Sequence, residues 1–152
     1  MVIKSGTANK DTVTGTTGGD ILYGFAGHDT LSGGDGNDVL EGGMGADSLL
    51  GGAGADVFKY ASFKEVRGDT IADFSAEDTL DFSAIAGANF IGNAPFSRIA
   101  GEIRNEIYVN IVNSSLEMSS VIYIDTNGDA LADISLWFYQ QRLNFTESAT
   151  DS

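Results

Sequence analysis

The chain is dominated by a nine-residue repeat that runs without a gap from residue 6 to residue 59. The six units are GTANKDTVT, GTTGGDILY, GFAGHDTLS, GGDGNDVLE, GGMGADSLL and GGAGADVFK. All six units have glycine at position one, aspartate at position six and an apolar residue at position eight. An uninterrupted repeat of this kind predicts a solenoid, in which successive units stack and share one core.

Each unit divides into a six-residue turn, such as GGAGAD, and a three-residue strand, such as VFK. Glycines at positions one, two and four are expected to take positive φ, so that the backbone curls tightly and its carbonyl oxygens point into the turn. The residue at position eight then points inward from the strand. Two units would complete one coil, with strands stacked along the axis, and the sequence therefore predicts a parallel β-roll.

The position-six aspartates alternate between the two flanks of such a roll. One flank holds Asp11, Asp29 and Asp47, and the other holds Asp20, Asp38 and Asp56. Stacked carboxylates repel one another unless a cation lies between them. Calcium accepts mixed carboxylate and carbonyl oxygens in irregular geometry, whereas magnesium demands a compact octahedron. The pattern predicts about four calcium ions, each between two aspartates of one flank: Asp11 with Asp29, Asp29 with Asp47, Asp20 with Asp38, and Asp38 with Asp56. A flexible Gly/Asp-rich linker is the alternative, but a linker needs no apolar residue at every eighth place.

The units resemble the GGxGxDxUx nonapeptide of RTX proteins, which form calcium-binding β-rolls. The resemblance implies that glycine carbonyls and position-six aspartates bind calcium. The residues it assigns are Asp11, Gly18, Asp20, Gly27, Asp29, Gly33, Gly34, Gly36, Asp38, Gly42, Gly43, Gly45, Asp47, Gly51, Gly52, Gly54 and Asp56. The first three units depart from the pattern at Thr7, Asn9, Thr16 and Phe25, so we expect weaker sites at the N-terminal end.

A second region, residues 60–142, is rich in aromatic residues and poor in glycine. Its segments GDTIADFSAEDTLDFSAI (68–85) and, more loosely, 101–138 resemble the C-terminal region of serralysin-type metalloproteases. We expect this region to form antiparallel β-structure that caps the open end of the roll, because a bare last coil exposes a strand edge. The zinc-binding HExxH of the proteases is absent, since His28 is the only histidine.

Two further acidic groups leave alternatives open. Residues 124–133, IDTNGDALAD, place Asp125, Asn127, Asp129 and Asp133 at EF-hand-like spacing, but the required glycine and terminal glutamate are misplaced. A β-hairpin turning at Asn127-Gly128 is the favoured alternative. Asp73, Asp78 and Asp81 are interpreted as turn carboxylates, with calcium binding as the second possibility.

Composition restricts the partners. With 8 basic and 22 acidic residues the net charge is −14, which disfavours nucleic acid and anionic membranes and favours cations. The chain has no cysteine and therefore no disulfide. It also lacks a second histidine that could serve a catalytic relay, and we expect a non-catalytic module.

The resemblance implies a calcium-dependent folding and secretion module of a protein exported by type I secretion machinery to the extracellular medium. The start of the chain, MVIKSGTANK, lacks the apolar stretch of a signal peptide, and the tail at 143–152 is therefore the expected secretion signal. The alternative is a polysaccharide-binding module, because similar RTX units accompany alginate (mannuronan) C5-epimerases. The chain is compatible with a fragment of a longer secreted enzyme.

Overall fold

The computed structural model describes residues 1–85, 89–92, 102–112, 115–125, 127 and 134–139. The regular elements within these residues are all strands, and they include no helix that could span a membrane. The strands that build the roll are β1 (Ile3–Ser5), β2 (Thr12–Thr16), β3 (Ile21–Tyr23), β4 (Ala26–Gly27), β5 (Thr30–Asp35), β6 (Val39–Glu41), β7 (Met44–Gly45), β8 (Ser48–Ala53), β9 (Val57–Lys59), β10 (Thr70–Ile71) and β11 (Thr79–Asp81). The later strands are β12 (Asn89–Gly92), β13 (Glu102–Val112), β14 (Ser115–Asp125) and β15 (Ile134–Tyr139).

Two parallel sheets face each other across the roll. One sheet has the order β1-β3-β6-β9-β11, and the other contains β2, β5, β8 and β10 in sequence. Leu22 pairs with Leu40, and Val13 pairs with Leu31, so partners are two repeats apart. The predicted all-β roll, with one coil for every two nonapeptides, is confirmed.

The position-eight side chains form the core between the sheets. Val13, Leu22, Leu31, Leu40, Leu49 and Phe58 are all buried, and the last five are at most 1% exposed. Neighbouring residues on each strand are half-buried or exposed, as the period of two along a strand requires. The core is therefore only two side chains thick, one from each sheet.

Parallel pairing continues beyond the last nonapeptide. β10 pairs with β8 through Leu49 and Ile71, and β11 pairs with β9 through Phe58 and Leu80. Ile71 is completely buried. The roll therefore runs on to Asp81, past the boundary at residue 59 that the repeat pattern alone suggests.

The glycines serve two different purposes. Positive φ occurs at positions two and four, for example at Gly34 and Gly36, but at none of the position-one glycines. The expectation of positive φ at position one is therefore wrong. These glycines are needed for space instead: a Cβ on Gly42 would lie 2.6 Å from Oδ2 of Asp47. Phe25 takes φ 77° at position two, which is a strained value for a residue with a side chain.

The strands β12 to β15 belong to the same sheet as β2, β5, β8 and β10. β14 pairs antiparallel with both β13 and β15, and β15 pairs in parallel with β10 through Thr70 and Trp137. The antiparallel pairing of β14 with β15 is what a hairpin across residues 126–133 requires, although that loop, apart from Asn127, lies outside the described residues. The role of these strands as a cap stays a prediction, and the tail at 143–152 also lies outside the described residues.

Candidate metal-binding turns

The position-six aspartates are stacked in two rows, one on each flank of the roll. From Asp29 onward, Oδ1 of each position-six aspartate accepts a hydrogen bond from the backbone amide of the aspartate one coil earlier. The amide of Asp20 donates to Asp38 at 2.7 Å, and the amide of Asp38 donates to Asp56 at 2.9 Å. On the other flank, the amide of Asp29 donates to Asp47 at 2.8 Å. The alternation of flanks inferred from the sequence is present.

Both rows extend by one residue that is not part of a nonapeptide. The amide of Asp47 donates to Oδ1 of Asp69 at 2.8 Å, and the amide of Asp56 donates to Oδ1 of Asp78 at 2.9 Å. Sequence reasoning missed Asp69 entirely. The available signal was an apolar residue two places after each aspartate, Ile71 and Leu80.

The second carboxylate oxygen, Oδ2, differs between the aspartates inside the rows and those at the N-terminal ends. Oδ2 is buried and has no hydrogen-bond partner in Asp29, Asp38, Asp47, Asp56 and Asp69. Each of these side chains is at most 2% exposed. A buried carboxylate oxygen without a partner is strongly unfavourable, and a bound ion is one of the groups that can satisfy it.

The carboxylates at the row ends have their own donors. Oδ2 of Asp11 accepts hydrogen bonds from the amide and the hydroxyl of Thr7, at 2.6 and 2.7 Å. Oδ2 of Asp20 accepts hydrogen bonds from the amide and the hydroxyl of Thr16, both at 2.7 Å. The Thr16 hydroxyl lowers the pKa of Asp20. Threonine at position two thus provides the interactions that a cation would otherwise provide, which agrees with the weaker N-terminal sites expected from the sequence.

Burial changes the acidity of the interior carboxylates in the opposite direction. Desolvation raises the pKa of Asp38 and Asp47, and it raises that of Asp56 to about 6. Desolvation raises the pKa of Asp69 to about 8, and the charge of Asp47 adds to this effect. Without a cation Asp69 is mainly protonated at neutral pH, and burial makes ionisation of the other three carboxyls less favourable than it is in water.

The donors in the turns suit calcium. No group of three or more His, Cys, Asp or Glu side chains converges within the described part of the chain, so an ion there must take most ligands from the backbone. Carbonyl oxygens are available, because those of Gly27, Gly34 and Gly36 each face the glycine one coil later. One carboxylate oxygen combined with several carbonyls is a hard-oxygen set of the type calcium uses.

The assigned glycines do not all have equivalent surroundings. Gly33, Gly42 and Gly51 lie against Oδ2 of the aspartate in their own turn, and Gly43, Gly45, Gly52 and Gly54 contact the preceding coil. Gly18 has open space around it, because a Cβ there would contact nothing within 4 Å. The assignment of individual ligands stays a prediction.

The other acidic candidates accept hydrogen bonds from backbone amides, those of Asp73 from the preceding coil and those of Asp78 Oδ2 and Asp81 from their own turns. Asp73 accepts hydrogen bonds from the amides of Gly51 and Gly52, and Oδ2 of Asp78 accepts one from Ser75. Oδ1 of Asp81 accepts one from the amide of Ser83. Their expected role as turn carboxylates agrees with these bonds.

Position five, which the sequence leaves variable, also links the coils. Nδ1 of His28 accepts a hydrogen bond from the amide of Ala46 at 3.0 Å, and Oδ1 of Asn37 accepts one from Ala55 at 3.1 Å. His28 is solvent-exposed, and it connects two stacked turns. No periodic signal in the sequence marks this role.

The repeat region matches a known family. Residues 5–40 and 23–58 each match the family model of the RTX calcium-binding nonapeptide repeat, and together the matches span a little over a third of the chain. The RTX β-roll predicted from the sequence is therefore confirmed. The resemblance to serralysin-type proteases stays a prediction, and a search of curated proteins found no match.

Two solved structures resemble the chain as a whole. The solution structure of the AlgE6R3 subunit of the Azotobacter vinelandii mannuronan C5-epimerase has a TM-score of 0.63 and 27% identity, and the match covers 88% of this chain and 72% of that one. The AlgE6R2 subunit of the same enzyme has a TM-score of 0.61 and 27% identity, with 92% and 84% covered.

Proposed function

We propose that this chain is a non-catalytic RTX module that folds around calcium ions and serves an exported protein. The observation that carries the proposal is the set of unpartnered, buried Oδ2 atoms inside the nonapeptide turns: Asp29, Asp38, Asp47 and Asp56. A divalent cation held by each carboxylate and the neighbouring carbonyls would compensate for the loss of solvation and for the repulsion within each row.

The sharpest test compares one interior aspartate with one at the end of a row. Asp38→Ala should lower calcium affinity more than Asp11→Ala, because Oδ2 of Asp38 has no protein donor whereas Thr7 donates twice to Asp11. Calcium titration calorimetry of the two full-length variants measures the difference. Equal losses would contradict the proposed sites.

The absence of catalysis is inferred from what the polar groups already do. The aspartates of the rows bind backbone amides, and Nδ1 of His28 accepts the amide of Ala46. A side chain engaged in holding turns together is a poor general base. The proposed task is therefore structural.

Export follows from the calcium requirement. Extracellular calcium modules bind with dissociation constants on the order of 10⁻⁴ to 10⁻³ M, and cytosolic calcium is too scarce to fill such sites. An acidic, glycine-rich chain would stay unfolded inside the cell and fold after passage through a type I secretion channel. Deleting residues 143–152 and measuring export tests the expected signal, and undiminished secretion would exclude it.

Polysaccharide binding is the second candidate. It is supported by the likeness to subunits of an enzyme whose name gives mannuronan as its substrate. The described surface also carries an aromatic pair, Tyr23 and Phe25, stacked at 6.0 Å, and Phe25 is 55% exposed. Such rings can stack on sugar rings. The charge of −14 opposes a polyanion, and four calcium ions would reduce it only to −6.

A matched pair of variants tests this second candidate. Alginate oligomers are titrated into the calcium-loaded chain and observed by NMR. If the aromatic pair binds sugar, Phe25→Gly should weaken binding while it relieves the positive φ of that residue, and Met44→Gly, at another exposed apolar position, serves as the control. No binding at millimolar oligomer would remove this candidate.

A further inference from the structure

The strand before the first nonapeptide already follows the register of the roll. β1 pairs in parallel with β3, and Lys4 lies opposite Leu22. The amide of Val2 donates to Oδ1 of Asp20 at 2.6 Å, as the amides of the position-six aspartates do in the later coils. Residues 2–5 therefore form an incomplete unit, in which Val2 takes position six and Lys4 takes position eight.

Lys4 stands where every complete unit has an apolar core residue. The residues that follow it in the inward column of this sheet are completely buried: Leu22, Leu40 and Phe58. Lys4 is half-buried, whereas Ile3 and Ser5 on either side of it are exposed, so its side chain points towards the end of the core. A charged side chain at such a position is unfavourable unless its charged end reaches solvent or a partner.

The ammonium group of Lys4 reaches across the end of the core to the opposite sheet. Its Nζ donates to the carbonyl oxygen of Thr14 at 2.6 Å. Thr14 lies on β2, the edge strand that pairs with β5. The carbonyl of Asp11 accepts the amide of Thr30 from β5, and because backbone carbonyls alternate in direction along a strand, that of Thr14 points away from β5. Lys4 thus takes the hydrogen-bonding place that an amide of a further coil would have.

This end of the roll has the features of a surface that associates. β1 and β2 are the edge strands of their sheets, and the neighbouring Val2 and Ile3 are 39% and 63% exposed. An open strand edge beside apolar side chains is a template for pairing with another chain, and an inward-pointing charge is one of the ways in which native sheets protect it. The terminal units of solenoids also depart from the repeat pattern to close the stack.

We infer that Lys4 closes the N-terminal end of the roll against end-to-end stacking with a second copy of this chain. A second roll placed on this end would remove water from the ammonium group of Lys4. In a head-to-head pair, the two Lys4 ammonium groups would also face each other. Both arrangements bury a charge without an opposite charge beside it, which is costly.

Sedimentation velocity of the full chain in calcium, over a range of protein concentrations, tests this role. Lys4→Met extends the apolar column to the end of the roll with an unbranched side chain, and it should self-associate at roughly a tenth of the concentration that the wild type needs. The control is Lys10→Met, which makes the same charge change at an exposed turn residue and should sediment as the wild type does. Circular dichroism verifies that each variant is folded.

Two results would overturn the role of Lys4. Lys4→Met could sediment as the wild type does at every concentration, or Lys10→Met could associate as strongly as Lys4→Met, which would attribute the effect to net charge alone. If Lys4→Met does not fold, Lys4→Ala takes its place, since it removes the ammonium group without adding a large side chain, and the same comparisons decide. Loss of the fold in both variants would make Lys4 a requirement for folding and would also overturn its role in closing the end.

Discussion

At the scale of single residues, position two of the repeat decides what each aspartate binds. Where it is threonine, as at Thr7 and Thr16, the amide and hydroxyl satisfy the carboxylate of the same turn. Where it is glycine with positive φ, as at Gly34, Oδ2 of the aspartate is left without a partner. The sequence showed which positions deviate from the pattern, but it did not show that Thr7 and Thr16 donate hydrogen bonds to the carboxylates of their own turns.

Replacing the threonine should create a calcium site. Thr16→Gly restores the glycine pair in GTTGGD and removes the hydroxyl donor to Asp20. We expect one additional calcium ion per chain in native mass spectrometry, while Thr17→Gly at the variable third position leaves the count unchanged. An unchanged count in Thr16→Gly would show that the hydroxyl does not stand in for the ion.

The raised pKa values predict an unusual dependence on pH when calcium is absent. Desolvation raises the pKa of Asp56 to about 6 and that of Asp69 to about 8, from 3.8. The folded state therefore binds more protons than the unfolded state, and its stability falls as pH rises from about 4 to about 8. In EDTA, far-UV circular dichroism should therefore show a stronger strand signal at pH 5 than at pH 8.

In EDTA, the stability of the folded state should depend less strongly on pH in Asp56→Asn, because this substitution removes one of the titrating groups. In saturating calcium the trend should weaken or reverse, because protons and calcium compete for the same oxygens. A strand signal in EDTA that grows between pH 5 and pH 8 would contradict the assignment of buried, protonated carboxylates.

At the scale of strands and turns, the nonapeptide period alone predicted the roll. An apolar residue at position eight of every nine-residue unit predicted the inward row, and the register of Leu22 with Leu40 has the expected spacing. The continuation through Ile71 was not predictable in this way, because an insertion of four residues shifts the spacing from Asp47 to Asp69 to 22 residues. Tyr60 and Val66, both completely buried, occupy the altered turn.

Neighbouring leucines of β8 provide a test of the inward row. Leu49 is 1% exposed, whereas Leu50 is half-buried on the outer side of the same strand. Leu49→Ala should cost about 2 to 5 kcal/mol of unfolding free energy, as is usual for a buried leucine. Leu50→Ala should cost clearly less. Urea denaturation in saturating calcium measures both, and equal losses would contradict the two-sided arrangement of the strand.

At the scale of the whole molecule, thin packing and high charge make the fold dependent on its ions. The net charge is −14, and six buried aspartates lie in two rows against a core only two side chains thick. Ordering glycine-rich turns also costs much backbone entropy. These opposing terms predict that the repeat region does not fold by itself at neutral pH.

Calcium binding and folding should therefore be one event. A ligand that binds only the folded state stabilises it by about 1.4 kcal/mol per site at ten times its dissociation constant, so four independent sites would contribute roughly 5 to 6 kcal/mol. That is comparable with the whole stability of a small domain, about 5 to 15 kcal/mol. Far-UV circular dichroism of the full chain should show loss of strand signal in EDTA at pH 8 and recovery in millimolar calcium, whereas magnesium at the same concentration should restore much less. A strand-rich spectrum that EDTA leaves unchanged at pH 8 would mean that the buried carboxylates are stabilised by something other than the ion.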